Sequence, residues 1–207
     1  MKDLDVTLFA RYGVATVYEA AGRVGLIDVP LTQIVAGSRV AGPARTVRCG
    51  QGDNLMVHAV LNSVQPGEVL VLTMPEPAPV ALVGDLLATQ AQVHQVAALL
   101  IDAAVRDIEE LQALGLPIWT RWIRVRGATK TKVGSINKPV VMGGTTIAPG
   151  DVVVLDADGA AVVPMQQAPH ILEAAQARYN RETELRKKLQ AGALSYDLHG
   201  LRSLVEG

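Results

Sequence analysis

The sequence predicts an α/β domain followed by a long C-terminal helix, and three observations carry that prediction. Residues 69–101 run apolar strand, helix, apolar strand, which is a βαβ crossover with parallel strands side by side. Residues 118–163 read as short β runs separated by glycine-containing turns, an antiparallel or mixed layer. From Gln166 onward the text becomes charged and helix-forming. The predicted division is an α/β domain with N-terminal helices over 1–165 and a helical extension over 166–207, the latter packing on a neighbouring subunit.

Residues up to about Leu31 read as two short helices, the second capped by Thr16 with Val17, Ala20, Ala21 and Val24 at helical spacing. β-Branched text interrupted by Gly and Pro over 34–48 predicts strands. Residues 53–64 place Leu55, Val57, Val60, Leu61 and Val64 on a broad helical face, ended by Gln65-Pro66-Gly67-Glu68. A buried strand follows at 69–74. After a Pro-rich link at 75–79, Gly84-Asp85 opens a helix to about Val93, and an apolar strand follows at 96–101. Arg106-Asp107 starts the next helix, stopped by Gly115 and Pro117. The long helix at 174–189 breaks at Gly192, before a tail helix over 195–205. Trp119 and Trp122 read as core and interface, and Arg186-Lys187-Lys188 as a solvated face.

Composition excludes several function classes. Hydrophobic residues make up 49% of the 207 residues and charged residues 19%, with a formal net charge of −1, so neither disorder nor a surface built for polyanions is indicated. Nucleic acid is not an expected partner. The longest apolar runs fall far short of the roughly 20 residues needed to cross a bilayer. The lone Cys49 cannot form an internal disulfide, and the start MKDLDVTLFARYG puts acidic residues where a secretory signal needs basic ones. A cytoplasmic location is expected.

Two features place charge at the ends of apolar strands, where α/β proteins hold ligands. Gly84-Asp85-Leu86-Leu87 joins a glycine and an acid at a helix start, whose unpaired N–H groups and positive dipole end suit a carboxylate or phosphate. Arg106-Asp107, just past a strand, offers a fixed cation beside a hard oxygen ligand. Each also has a plain structural explanation: Asp85 as an N-cap worth about 1 kcal/mol, and Arg106-Asp107 as a surface pair worth about 0 to 1 kcal/mol. The crossover discriminates, because it brings both features to one sheet edge and one cleft.

Gly84-Asp85, twenty intervening residues and Arg106-Asp107 resemble the signature of the superfamily that holds the 4-hydroxy-4-methyl-2-oxoglutarate / 4-carboxy-4-hydroxy-2-oxoadipate aldolases and the regulators of ribonuclease E activity. The similarity extends over nearly the whole chain. It includes Ala15-Thr16-Val17-Tyr18-Glu19-Ala20, Arg126-Gly127-Ala128-Thr129-Lys130, the run from Pro149 to Gly159, and the tail Gln190-Ala191-Gly192-Ala193-Leu194-Ser195-Tyr196-Asp197. A long terminal helix followed by this tail resembles the aldolase branch.

The resemblance implies a compact swivelling β/α fold assembling as trimers or hexamers, with the active site at a subunit boundary. It implies a class II aldolase that releases pyruvate from a branched hydroxy-oxo acid, with decarboxylation of oxaloacetate as a side activity. Asp107 would coordinate Mg²⁺ or Mn²⁺ directly, Asp85 would hold metal-bound water, and Arg106 would stabilise developing enolate charge. Backbone N–H groups from Gly84 to Leu87 would receive the pyruvyl carboxylate. Glu182 would reach the metal waters of a neighbouring subunit. Asn54 and Lys130 match positions contacting the rest of the substrate.

The residue types agree with that chemistry. Retro-aldol cleavage needs a base to take the 4-hydroxyl proton and an electron sink at the 2-oxo group, and a chelated cation supplies the sink as a Lewis acid. The competing sink, a Schiff-base lysine, needs burial, whereas Lys130, Lys132 and Lys138 lie in polar text. An oxygen-only site suits Mg²⁺; zinc fits less, since His58, His94, His170 and His199 are scattered. His58 reads as a packed histidine or a cleft neighbour, and Glu19 as a solvated or interface carboxylate or an assistant to the site. The chain departs from the family at His94-Gln95 and Ala103, where glycines are common, a change expected to reshape a loop before Arg106. A methyltransferase role is rejected, because no GxGxxG-type loop follows a strand. The alternative is a non-catalytic, protein-binding regulator of ribonuclease E.

Overall fold

The computed structural model describes residues 4–206. The chain opens with two short helices, α1 (Phe9–Tyr12) and α2 (Val14–Ala20), separated by Gly13 at φ 82. A two-residue strand β1 (Thr32–Gln33) precedes β2 (Val40–Arg48), α3 (Leu55–Val60) and β3 (Val69–Thr73). Then come β4 (Ala81–Val83), α4 (Asp85–Val93), β5 (Ala98–Val105), α5 (Ile108–Leu114) and β6 (Ile118–Ile123). The β-rich part closes with β7 (Ser135–Ile136), β8 (Val140–Met142), β9 (Thr145–Ile147), β10 (Val152–Asp156) and β11 (Gly159–Val163). The C-terminal helices are α6 (Ala168–Gln190), α7 (Ser195–Leu198) and α8 (Arg202–Val205). Among the described residues no helix is long and apolar enough to cross a membrane.

One mixed sheet runs β1-β6-β5-β3-β2-β10-β11, with β4 alongside β5 and β7 alongside β2, and β8-β9 forms a separate hairpin. Strands β2, β3, β5 and β6 are mutually parallel, while β10 and β11 run antiparallel to their neighbours. Every residue of β3 and β5 is buried, as strands covered on both faces require. Alternation sorts their side chains. Leu70, Leu72, Leu99 and Ile101 pack with Val57, Val60, Ala88, Ala91 and Leu111 from α3, α4 and α5. Val69, Val71, Ala98 and Leu100 face Trp119, Met142, Ile147, Val153 and Leu155 on the other side. A third cluster seats Phe9, Tyr12, Val14 and Val17 with Ile171 and Ala175 of α6 on the outer face of β10 and β11. The first half of α6 therefore belongs to the chain's own core, and only its later part stands free as an extension.

The strands, the crossover and the helical C-terminal part agree with the sequence prediction; several details differ. Val14 N–H donates to Asp156 Oδ2 at 2.8 Å, so a carboxylate from β10 satisfies the start of α2, and Thr16 lies inside the helix. α2 stops at Ala20, leaving Val24 outside it and exposed. Residues 34–39 form the approach to β2 rather than strand. The tail is two single turns, broken at Gly200 with φ 64. Trp119 is core, its Nε1 donating to Asp156 O at 2.8 Å.

Most consequential is β4, inside a segment read as a link. It occupies the place beside β5 that β3 vacates after Thr73, pairing Ala81 with Ala104 and Val83 with Val105. β5 itself continues to Val105, with Ala103 fully buried. The expected loop before Arg106 is strand. Gln95, at the other family glycine site, keeps the left-handed φ of 59 that a glycine would adopt freely.

Candidate active site

The cleft forms where β4 and β5 end together. Arg106 N–H donates to Val83 O at 3.2 Å, which sets the exit of β5 against the start of α4. Asp107 follows in the left-handed region, φ 61 and ψ 51, uncommon for a residue other than glycine and costing about 1 kcal/mol or more. It stands at the N-cap of α5 yet makes no cap bond there. Its carboxylate turns across the cleft instead: Oδ2 accepts from Asp85 N–H at 3.2 Å and lies 3.4 Å from Arg106 Nε. The twisted backbone thus aims Asp107 at the mouth of α4.

Gly84 is required by this approach. A Cβ there would come within 2.3 Å of Asp107 Oδ2 and 3.2 Å of Arg106 Nε. On the other side, a Cβ on Gly127 would meet Arg106 Nη1 at 2.9 Å. Two backbones without side chains thus let the Arg106 side chain approach closely. With the Asp85 amide engaged by Asp107, the amides of Leu86 and Leu87 remain in the first turn of α4, where no helical carbonyl reaches them.

Around this corner lies a cavity of about 140 Å³ lined by Asn54, Gly84, Asp85, Leu86, Leu87, Arg106 and Lys130, with His58, Ala81, Leu82 and Ala128. Seven residues singled out in the sequence thus share one cleft, with Asp107 bonded at its corner. His58 is the cleft neighbour of the two alternatives, and it is exposed. Asn54 is 8% exposed; its Nδ2 donates to Leu82 O at 2.9 Å, while its Oδ1 is buried without a partner. An orphaned buried acceptor costs about 1 to 3 kcal/mol, so this oxygen is suited to a ligand's donor.

Glu182 lies elsewhere in the chain, on α6, its Oε1 2.8 Å from Arg178 Nε. Arg178 also approaches Glu19 at 3.7 Å, and Glu19 pairs with Arg23 at 3.2 Å. Neither glutamate lines the cleft of its own chain. Arg186, Lys187 and Lys188 are solvated, as expected.

Asp85 and Asp107 supply only oxygen, and no group of three or more His, Cys, Asp or Glu side chains converges among the described residues. That donor set fits a hard, hydrated divalent cation with few protein ligands. It does not fit tetrahedral zinc. Cys49 is buried, and burial together with the Asp53 charge pushes its thiol up to about 12, which disfavours the thiolate that a ligand or nucleophile needs.

Asp53 carries a role the sequence did not reveal. It is fully buried. Burial alone would raise its pKa, but amide donors from Thr131, Leu55 and Lys132 and the Thr129 hydroxyl outweigh this and hold the carboxyl well below its usual range. A depressed folded pKa gives stability that is fully present above the unfolded value of about 3.9 and lost as pH falls through the folded value. Asp53→Asn is therefore expected to lower Tm at pH 7 by several degrees, with the gap to wild type narrowing as pH falls below about 4. Parallel Tm curves from pH 7 to 2 would show that the charge contributes nothing.

The chain belongs to the RraA-like family, described as Aldolase/RraA, which matches residues 14–162. A relative from Halalkalibacterium halodurans, named "Putative 4-hydroxy-4-methyl-2-oxoglutarate aldolase", is 35% identical over 168 residues, 81% of this chain and 78% of that one. RraAS2 of Streptomyces coelicolor, described as an unusual member of the RNase ES inhibitor RraA protein family, superposes with a TM-score of 0.78 at 29% identity, covering 91% of this chain and all of that one. A Geobacillus kaustophilus structure described as an S-adenosylmethionine:2-dimethylmenaquinone methyltransferase matches with a TM-score of 0.62 at 30% identity, over 66% of this chain and 84% of that one.

Proposed function

We propose that the protein is a divalent-metal-dependent aldolase that cleaves 4-hydroxy-4-methyl-2-oxoglutarate, 4-carboxy-4-hydroxy-2-oxoadipate or both, releasing pyruvate. One observation carries the reading: the start of α4 with Asp85 and the Arg106 side chain line one small cleft, and the Asp107 carboxylate sits at its corner, on the Asp85 amide and beside Arg106. The Halalkalibacterium relative's name supports the same class.

Asp107, with Asp85 acting through water, would hold Mg²⁺ or Mn²⁺, whose chemistry here is Lewis-acid polarisation of the 2-oxo group. The free amides of Leu86 and Leu87, at the positive end of the α4 dipole, bind and orient the pyruvyl carboxylate. Arg106, which Gly84 and Gly127 let approach closely, stabilises the negative charge that grows on the 2-oxo oxygen as the carbon–carbon bond breaks. Asn54 Oδ1 accepts from a hydroxyl, and Lys130 neutralises a carboxylate on the departing half. Glu182, on the exposed part of α6, serves a neighbouring subunit's cleft in a trimer or hexamer.

Pyruvate release from both hydroxy-oxo acids in Mg²⁺ buffer tests the reading, and release from at least one is expected. Oxaloacetate should lose CO₂ in the same cleft, since both reactions develop charge on the same oxygen. RraAS2, described as a member of an RNase ES inhibitor family, supports a second reading, a protein-binding regulator. Folded protein that releases pyruvate from neither acid but inhibits ribonuclease E would decide for it.

A further inference from the structure

Asp53 spends one carboxylate oxygen on each side of a seam. Its Oδ1 accepts from Leu55 N–H at 2.9 Å, fixing the start of α3 directly after Asn54. Its Oδ2 accepts from the Thr129 hydroxyl at 2.7 Å, Thr131 N–H at 2.6 Å and Lys132 N–H at 3.1 Å. The segment around Thr129 is also held by backbone bonds, Thr129 N–H to Gly52 O at 3.0 Å and Asn54 N–H to Thr129 O at 2.9 Å. Past Thr129 these backbone bonds stop until β7. Over Lys130 to Lys132 the described anchors are Asp53 and the Lys132 ammonium, which donates to Gln51 O at 2.8 Å. Lys130 makes no ion pair among the described residues and is exposed, so the path of its backbone decides where its ammonium stands.

We propose that Asp53 is a positioning residue for specificity: by clamping residues 129–132 to the start of α3, it holds Lys130 and Asn54 at the spacing that grips the departing half of the substrate. The inference rests on the aldolase reading above. Among the described residues Asp53 makes no hydrogen bond to the opposite wall, Gly84 to Leu87 with Arg106, and reaches it only through Asn54 Nδ2 on Leu82 O, so the pyruvyl half depends on Asp53 far less than the other half does. A neutral residue in place of Asp53 leaves the pyruvyl subsite nearly intact and loosens mainly the other one. A long, multiply charged hydroxy-oxo acid depends on both walls; oxaloacetate, nearly all pyruvyl, depends on one.

Asp53→Asn and the milder Thr129→Val, which removes only the hydroxyl donor, separate these roles. In Asp53→Asn the KM for hydroxy-oxo acid cleavage is expected to rise about tenfold, with kcat within about threefold and the oxaloacetate KM within about twofold. Thr129→Val should shift KM in the same direction by less. Adding Asp53→Asn to Lys130→Met should raise KM less than Asp53→Asn does in the wild-type chain, because a residue that acts through Lys130 loses that part of its effect once Lys130 is gone. Hydrogen exchange of the Thr131 and Lys132 amides should accelerate at least tenfold in Asp53→Asn. Equal losses on both substrates, additive losses with Lys130→Met, or unchanged exchange would overturn the proposal. If the wild-type chain cleaves no hydroxy-oxo acid, the aldolase reading fails, while the exchange measurement still decides whether Asp53 holds the segment. If Asp53→Asn does not fold, Thr129→Val answers the same questions at smaller amplitude, and no KM difference between substrates there overturns the proposal.

Discussion

Arg106→Lys is expected to lower kcat for cleavage about 100- to 1,000-fold, the roughly 3 to 4 kcal/mol that one transition-state donor supplies in comparable sites. Lysine keeps the charge but loses the planar fork, for which Gly84 and Gly127 leave room close to Arg106. A tetrahedral ammonium carries its donors on one rotating atom and offers no fixed parallel pair to the growing oxyanion. Since Arg106 is not a metal ligand in this account, calorimetric titration with Mg²⁺ should give an affinity near wild type. Normal turnover in Arg106→Lys would remove Arg106 from its assigned role.

The second large effect belongs to Asp107, where metal affinity and rate should fall together. Loss of a residue that merely supports a metal ligand costs about 10- to 100-fold in affinity or activity, so removing the ligand itself by Asp107→Ala should cost at least that much in the Mg²⁺ concentration for half-activity. Alanine is also ill suited to φ 61. Asp107→Asn is the better-behaved companion, because asparagine tolerates the left-handed region and keeps an oxygen for the Asp85 amide. Both variants should show weak calorimetric titrations. Asp107→Asn binding Mg²⁺ as tightly as the parent would contradict the assignment.

The parts of the site legible in the sequence were those that depend on topology. A strand–helix–strand run must return its second strand beside the first, so Gly84-Asp85 and Arg106-Asp107 had to meet. The agent of that meeting was not legible. β4 is three residues long, sits behind five residues containing three prolines, and gives too short a period to register as a strand. It, rather than β3, delivers Gly84 to Arg106. The extent of β5 was obscured by Asp102, which a period count takes as the end of an apolar run. In the fold Asp102 is buried against Arg121 at 3.1 Å, with burial raising its pKa against the pull of that pair.

Asp53 was invisible for a different reason. A single aspartate before a helix looks like any helix start, and indeed it bonds the Leu55 amide. Its other donors come from residues 129, 131 and 132, a separation no local pattern encodes. The orphan oxygen of Asn54 is equally a product of packing, since only the third dimension shows which end of an amide finds a partner. Thr16 illustrates the reverse error: a good cap residue by type, it lost the position to Asp156, 142 residues away from Val14.

The most direct test of the account is pyruvate release before and after removal of divalent metal, with borohydride present in a parallel sample. Oxygen ligands few in number hold a cation loosely, so release should stop in chelator and return fully on adding Mg²⁺ or Mn²⁺, with no lysine modified. Full turnover in chelator, together with a borohydride-trapped lysine adduct, would contradict the metal-dependent mechanism.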